Sequence, residues 1–135
     1  MSDRYYRNKR ILSGYNHLLK QIDDLTCDYA ELYTQATKIN QVLNDDVRPA
    51  NHDAKSKVEG ITIKLAETKA ALEKVIARRK RIDKAVKRLP VKYQMLVKAV
   101  DINRQSISKA VGELGFKNYK YACRKHREII EDMYI

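Results

Sequence analysis

The residues with the clearest chemical potential follow the tripeptide Leu-Gly-Phe at positions 114–116. Five of them offer hydrogen-bonding or stacking groups in quick succession: Lys117, Asn118, Lys120, Tyr121 and Arg124. Arginine and lysine pair with the acceptors of guanine, and asparagine pairs with adenine in the major groove. The same side chains would also form an ordinary solvated helix face. Their position and the sign of their charge favour base contact.

A second set of cationic side chains has the chemistry of phosphate binding, since cations near DNA release bound counterions. The segment 78–88, RRKRIDKAVKR, holds seven basic residues in eleven. The outer face of a helix, or a nuclear address in a nucleated cell, would explain this run as well. The phosphate-contact candidates across the chain are Arg78, Arg81, Lys84, Arg88, Arg104, Lys109, Lys125 and Arg127.

The elements that would position the first set form a helix-turn-helix pattern. Ser106 can cap a helix through its hydroxyl, and Gly115 is placed for a left-handed turn. Ala110 is small enough for a close helix crossing, and Phe116 would fill the corner. The predicted helices, near 91–100, 106–114 and 117–133, form a domain over residues 90–135. Its inward positions are Tyr119, Ala122, Cys123, His126, Ile129, Ile130 and Met133, with His126 expected as a hydrogen-bonded core residue.

Two heptad patterns precede this domain and predict an antiparallel coiled-coil helical hairpin over residues 1–89. The helices are expected at 5–44 and 55–89, with a loop at about 44–57 around Pro49. Self-pairing into an oligomer is the rival use of the same heptad positions. Arg79 occupies one of them and should snorkel or meet an acid such as Asp24 or Asp28. The first pattern is Ile11, Tyr15, Leu18, Ile22, Leu25, Tyr29, Leu32, Ala36, Ile39 and Leu43. The second is Val58, Ile61, Leu65, Thr68, Leu72, Val75, Arg79, Ile82, Val86 and Leu89.

Composition agrees with an all-α chain that meets a polyanion. The 135 residues include 28 Lys+Arg against 17 Asp+Glu, a formal net charge of +11. Residues 1–57 are close to neutral, so the excess lies in residues 58–135. Four glycines, two prolines and 44% hydrophobic residues suit a helical core rather than a sheet or a disordered chain.

Catalytic, metal-binding and membrane signals are lacking in the sequence. It has no G-x-S-x-G and no glycine-rich phosphate loop, and His17 and His52 have no ligands at metal spacing. We therefore expect no enzyme activity, no catalytic or metal-binding residues and no cofactor. Cys27 and Cys123 form no C-x-x-C, and neither a signal peptide nor a membrane span is evident. These features predict a cytoplasmic protein with free thiols.

The order of parts resembles a known family. A long helix ending AVKRLP, a short apolar helix, a Ser-led helix, LGF and RKHREIIEDM are similar to phage late-transcription activators of the RinA/ArpU type. Their C-terminal part looks like region 4 of bacterial sigma factors, and the resemblance covers about residues 55–133. It implies a phage or prophage regulator that binds double-stranded promoter DNA, activates late genes in the host bacterial cytoplasm and has host RNA polymerase as a further candidate partner.

Two other functions fit the same features. A small phage interaction protein, such as an anti-CRISPR-like inhibitor of a host nucleic-acid enzyme, would use the helical hairpin as its binding surface. A small terminase-like packaging subunit would combine DNA binding with ring assembly through its helices. The sequence leaves both open beside transcription regulation.

Overall fold

The computed structural model describes residues 2–45 and 52–135, with side chains over 2–39 and 56–135. Within those ranges the regular structure is helical and includes no strand, which confirms the all-α prediction. The helices are α1 Asp3–Ser13, α2 Tyr15–Asp45, α3 His52–Lys87, α4 Val91–Val97, α5 Ile107–Glu113 and α6 Tyr119–Asp132. A π-helical turn, Lys98–Ile102, continues α4.

The first long helix, predicted over residues 5–44, is interrupted. Gly14 lies between α1 and α2 with φ −86° and ψ 0°, and its N–H donates to the carbonyls of Arg10 and Ile11. The helix α3 begins at His52, earlier than the predicted start at residue 55. Of the predicted loop at 44–57, residues 46–51 with Pro49 lie outside the described residues.

The chain forms two compact units: residues 1–19 together with 77–135, and residues 20–76. The first unit brings α1 against α6, because the Asn8 side chain donates to the carbonyls of Ile130 and Met133 at 2.7 and 2.9 Å. This division differs from the predicted boundary at residues 89 and 90. The N-terminal helix thus shares a unit with the C-terminal helices.

The first unit has two apolar clusters. One joins α1, α3, α4 and α6 and comprises Tyr5, Leu12, Ile82, Ala85, Val86, Val97, Ile130 and Met133. The other joins α4, α5 and α6 through Leu96, Ala110, Val111 and Ala122, with Tyr93 and Phe116 at its margin. Ala110 of α5 and Ala122 of α6 are small side chains in this cluster, so the two helices can approach closely. The second cluster therefore packs α6 against α4 and α5.

In the second unit, side chains of α2 and α3 line common grooves. One groove is lined by Gln35 and Ile39 of α2 with Lys57 and Ile61 of α3. Asp28 lies further back on α2 and shares a groove with Thr68, further forward on α3. The heptad positions of this unit with described side chains are half-buried, apart from Val75, which is buried. Residues between them are mostly exposed, so the heptad spacing identified the inward sides of both helices.

Candidate nucleic-acid interface

The turn between α5 and α6 has the geometry that its sequence predicts. The Ser106 hydroxyl caps α5 by accepting from the N–H of Lys109 at 3.1 Å. Gly115 has φ +73°, a region where a Cβ is strained, and the Phe116 N–H donates back to the Val111 carbonyl at 3.1 Å. Phe116 lies beside Tyr93 with ring centroids 5.8 Å apart. The predicted cap, turn residue and corner residue are all confirmed.

The start of α6 is set by Asn118. Its Oδ1 accepts from the N–H of Tyr121 at 3.1 Å, so Asn118 is the N-cap and Lys117 precedes the helix. Lys120, Tyr121 and Arg124 follow in the first two turns, and all five base-reading candidates are exposed. Capping occupies the asparagine oxygen, which leaves its amide NH₂ for any further hydrogen bond.

Two cationic side chains lie close to the ring of Tyr121. The Arg124 guanidinium carbon is 5.6 Å from the Tyr121 ring centroid, and the Lys125 ammonium is 5.9 Å from it. Such cation–π contacts restrict long side chains that would otherwise be mobile. Lys125 is half-buried, and its Nζ lies 3.7 Å from Oε2 of Glu128. Arg124 is exposed. The structure thus brings together two base-reading candidates, Tyr121 and Arg124, and one phosphate candidate, Lys125.

Tyr119 was predicted to pack inward with Ala122 and His126, and this prediction is wrong. The side chain is 47% exposed, and its hydroxyl lies 3.4 Å from the Ser108 hydroxyl of α5. The reason is its place at the first residue of α6, where the helix has not yet reached the core. Tyr119 therefore adds an aromatic group to the exposed start of α6.

The basic run on α3 presents one cationic surface. Arg78, Arg81, Lys84 and Arg88, together with Lys80 and Lys87, are all exposed. Elsewhere, the candidates Arg104, Lys109 and Arg127 are also exposed, and Arg104 has φ +56°. Among the hydrogen bonds and ion pairs of the described residues, none joins the α3 run to the candidates on α6. The two sets are separate features of the first unit.

Asp83, the acid within that run, already contacts two other side chains. It accepts from the Tyr15 hydroxyl at 2.6 Å, and Arg79 Nε lies 3.8 Å from its other oxygen. Arg79 therefore meets an acid of its own helix rather than Asp24 or Asp28. Burial, followed by the hydrogen bond and charge of Asp83, raises the pKa of Tyr15 to about 12, against a smaller lowering by Arg79. Asp83 is the only acid within residues 78–88, and its oxygens contact Tyr15 and Arg79 rather than the exposed cations of the run.

A buried pair links the π-helical turn to α6. His126 Nε2 lies 2.6 Å from Asp101 Oδ2, and these side chains are 5% and 0% exposed. The expectation of a hydrogen-bonded core histidine is confirmed. Its partner was missed, since Asp101 falls in the segment DINRQ, which reads as a loop. π-helical turns often mark functional positions, and this one carries Asp101 inward.

The helix α1 supports the far end of α6. Besides Asn8, Arg4 donates from its guanidinium to the carbonyls of Asp132 and Met133 at 3.4 and 3.3 Å. Carbonyls at a helix C-terminus have no partner within the helix, so these contacts satisfy part of that end. No local pattern in the sequence indicated this role, because the pairing depends on the fold.

Over residues 2–39 and 56–135, whose side chains the structure describes, no group of three or more His, Cys, Asp and Glu side chains is placed to hold a metal ion. No helix in that part of the chain has the length and apolar character needed to cross a membrane. Comparison of the chain with protein-family models, curated proteins and solved structures found no match. The assignment of a function therefore depends on the site itself.

Proposed function

We propose that this protein is a sequence-specific regulator of transcription that binds double-stranded DNA. The observation that carries the proposal is the start of α6: exposed Lys120, Tyr121 and Arg124 follow a turn fixed by Gly115 and capped by Asn118. Base edges in the major groove are read by side chains from the first turns of a recognition helix. In this proposal α4, α5 and α6 form a sigma region 4-like helix-turn-helix, with α6 as the reading helix.

The cationic face of α3 supports the proposal from a second direction. Six exposed basic side chains over residues 78–88 suit sequence-independent contact with phosphates. The proposal gives α2 and α3 the role of an antiparallel coiled-coil hairpin whose end at residues 77–89 belongs to the DNA-binding unit. No cofactor is needed for binding of this kind.

The resemblance to RinA/ArpU-type activators extends the proposal to the source of the protein and the genes that it regulates. The protein would be encoded by a phage or prophage, act in the host bacterial cytoplasm, and activate late genes at their promoter. Host RNA polymerase would be the second partner, since an activator must act on the polymerase at the promoter. Reporter transcription in a bacterial host, with the promoter supplied on a plasmid, tests this extension independently of DNA binding.

The dependence of DNA affinity on salt tests the role of the cationic face. Replacement of Arg81 and Lys84 by Gln should lower the slope of log affinity against log salt by about 2, since each neutralised phosphate contributes about 0.9. The matched control is Lys57→Gln with Lys64→Gln, which makes the same change of charge elsewhere on α3. Titration of a fluorescent duplex at several salt concentrations gives the slopes.

Equal slopes for the wild type and the Arg81/Lys84 variant would show that Arg81 and Lys84 contact no phosphates. Residues 78–88 would then be an ordinary solvated helix face. No binding to any duplex from a random pool would overturn the proposal as a whole. The interaction-protein alternative would then be the better account of the basic charge.

A further inference from the structure

The first unit contains a cleft of about 300 Å³. Its walls are the first residues of α2, the last turns of α3, the helix α4 and the π-helical turn that continues α4. The volume corresponds to about ten water molecules at about 30 Å³ each, and ligand sites of small molecules begin at about this size. The cleft is therefore large enough for a small organic molecule, and its lining determines which chemistry it accepts.

The lining combines an apolar wall with two cations. Val86 of α3 and Ile102 of the π-helical turn are buried and supply the apolar part. Lys87 and Lys98 are exposed and line the same cleft from α3 and from the π-helical turn. Among the ion pairs of the described residues, none involves either lysine. A ligand in the cleft would therefore meet apolar surface and two ammonium groups that no carboxylate has neutralised.

The π-helical turn brings part of this lining together. The N–H of Asn103 donates to the carbonyl of Lys98 at 2.9 Å, five residues earlier. Residues five apart diverge by about 140° around an α-helix, whereas the wider π-helical turn carries them towards the same side. Lys98, Ile102 and Asn103 accordingly line one cleft. The side-chain nitrogen of Asn16 donates to the Ile102 carbonyl at 3.2 Å and keeps a second hydrogen for a ligand.

The charges around the cleft favour an anion. Asp83 also lines it, but its oxygens contact the Tyr15 hydroxyl at 2.6 Å and Arg79 Nε at 3.8 Å, and Arg79 offsets its charge. Between Asp83 and Asp101 the sequence has five basic residues and no acid. Asp101 itself is buried against His126. The potential in the cleft is therefore positive, and a concave site with charge of one sign concentrates ligands of the opposite sign.

We propose that this cleft binds a phosphate ester, with the phosphate at Lys87 and Lys98 and the carbon skeleton against Val86 and Ile102. Two ammonium groups match the nearly double charge of a phosphate monoester better than the single charge of a carboxylate. The skeleton adds affinity by covering the apolar wall. A free monoester has this chemistry, and so does the backbone of a bound duplex, where deoxyribose is the skeleton. The second source rests on the proposed DNA function.

The first test uses phenyl phosphate without DNA, so its outcome is independent of the DNA-binding proposal. Addition of phenyl phosphate to the isotope-labelled full chain should shift the backbone amide resonances of Lys98, Ile102 and Asn103 and saturate with a Kd of roughly 1–10 mM. Inorganic phosphate, phenol and benzoate should each bind roughly fivefold more weakly or worse. The first lacks the skeleton, the second lacks the charge, and the third has a single charge.

Lysine variants assign the binding to the cleft. Lys87→Gln combined with Lys98→Gln should weaken phenyl phosphate by roughly tenfold or more, since both charged partners of the phosphate are lost. Lys109→Gln combined with Lys117→Gln makes the same change of charge on exposed residues of the same unit that lie outside the cleft lining, and should change the Kd by less than about twofold. Circular dichroism checks that each variant keeps its helices.

Three results would overturn the proposal: no saturable shift at these amides, inorganic phosphate binding as tightly as phenyl phosphate, or an equal loss in both double variants.

A second measurement distinguishes the two sources of the phosphate ester. If the DNA backbone occupies the cleft, a duplex displaces phenyl phosphate, and the Lys87/Lys98 variant lowers the slope of log affinity against log salt by about 2. If the ligand is a free monoester, the duplex and phenyl phosphate bind together, and the slope is that of the wild type. Either result supports the site. A protein that binds phenyl phosphate here and no duplex would overturn the DNA-binding proposal alone.

Discussion

The pair of Asp101 and His126 connects the π-helical turn to the inner side of α6, within a region where both side chains are excluded from water. Removal of one member of such a pair leaves the other polar group buried without its partner. We expect Asp101→Ala to lower the free energy of unfolding by about 3 kcal/mol. Urea unfolding followed by circular dichroism measures the loss.

The control for that measurement is Glu113→Ala, an exposed acid at the end of α5, which should change stability by less than about 0.5 kcal/mol. A loss below about 1 kcal/mol for Asp101→Ala would show that His126 finds other partners or water. The pair would then have little part in holding α6.

Tyr15 gives the fold a dependence on alkaline pH. The folded pKa of about 12 exceeds the ordinary value of 10.0, so the folded protein holds a proton that the unfolded chain loses first. The stabilisation is complete below pH 10 and is lost as the pH rises from 10 towards 12. Tyr15→Phe should flatten this fall, while Tyr134→Phe, at an exposed tyrosine, should not. Unfolding curves between pH 9 and about 11.5 give the free energy of unfolding of the three proteins. An equal decrease with pH for the wild type and Tyr15→Phe would contradict the assignment of this dependence to Tyr15.

Single residues differed in how far the sequence could predict them. The spacing of α6 was enough to place His126 in the core, since a position in a helical pattern depends on local periodicity. Its partner Asp101 and the capping role of Asn8 could not be found in this way. Both depend on which distant segments the fold brings together. The prediction that Tyr119 is buried was wrong, because helical periodicity does not show which turn of a helix is the first to contact the core.

The turn between α5 and α6 offers a matched pair of glycines at the scale of an element. Gly115 has φ +73°, so Gly115→Ala forces a Cβ into a strained region and should cost about 1 kcal/mol of stability. Gly112 lies within α5 with open space around its Cα, so Gly112→Ala should stabilise by about 0.5–1 kcal/mol through helix propensity. Thermal unfolding of both variants measures these opposite shifts. Shifts of the same sign would show that the turn does not depend on the left-handed residue.

Element boundaries were predicted well where local chemistry decides them. Ser106 and Gly115 act through hydrogen bonds and backbone conformation within a few residues, and the start of α5 followed from Ser106. The start of α6 was predicted at residue 117 but lies at Tyr119, because Asn118 acts as the N-cap. The break at Gly14 was missed, because one glycine in a heptad pattern is compatible with a continuous helix. The contacts of α1 with α6 join residues more than a hundred positions apart in the sequence, so no local pattern predicts them.

At the scale of the whole molecule, helical class and the inward sides of α2 and α3 followed from composition and heptad spacing. The grouping of residues 1–19 with 77–135 did not, because it reflects docking of α1 rather than any pattern along the chain. This grouping has a functional consequence for the proposal. The basic face of α3 and the exposed start of α6 belong to one unit, which can offer phosphate contacts and base contacts to the same duplex.

The measurement that tests the central claim most directly is the ratio of affinities for a duplex selected from a random pool and for its scrambled counterpart. A side chain that reads a base discriminates by about 1–3 kcal/mol, whereas a phosphate contact weakens all sequences alike. Lys120→Ala and Arg124→Ala should each lower the ratio by roughly fivefold or more and leave weak, salt-sensitive binding. Arg127→Ala, a phosphate candidate on the same helix, should weaken both duplexes equally. An unchanged ratio in Lys120→Ala, Arg124→Ala and their combination would contradict the account, since α6 would then not be the reading helix.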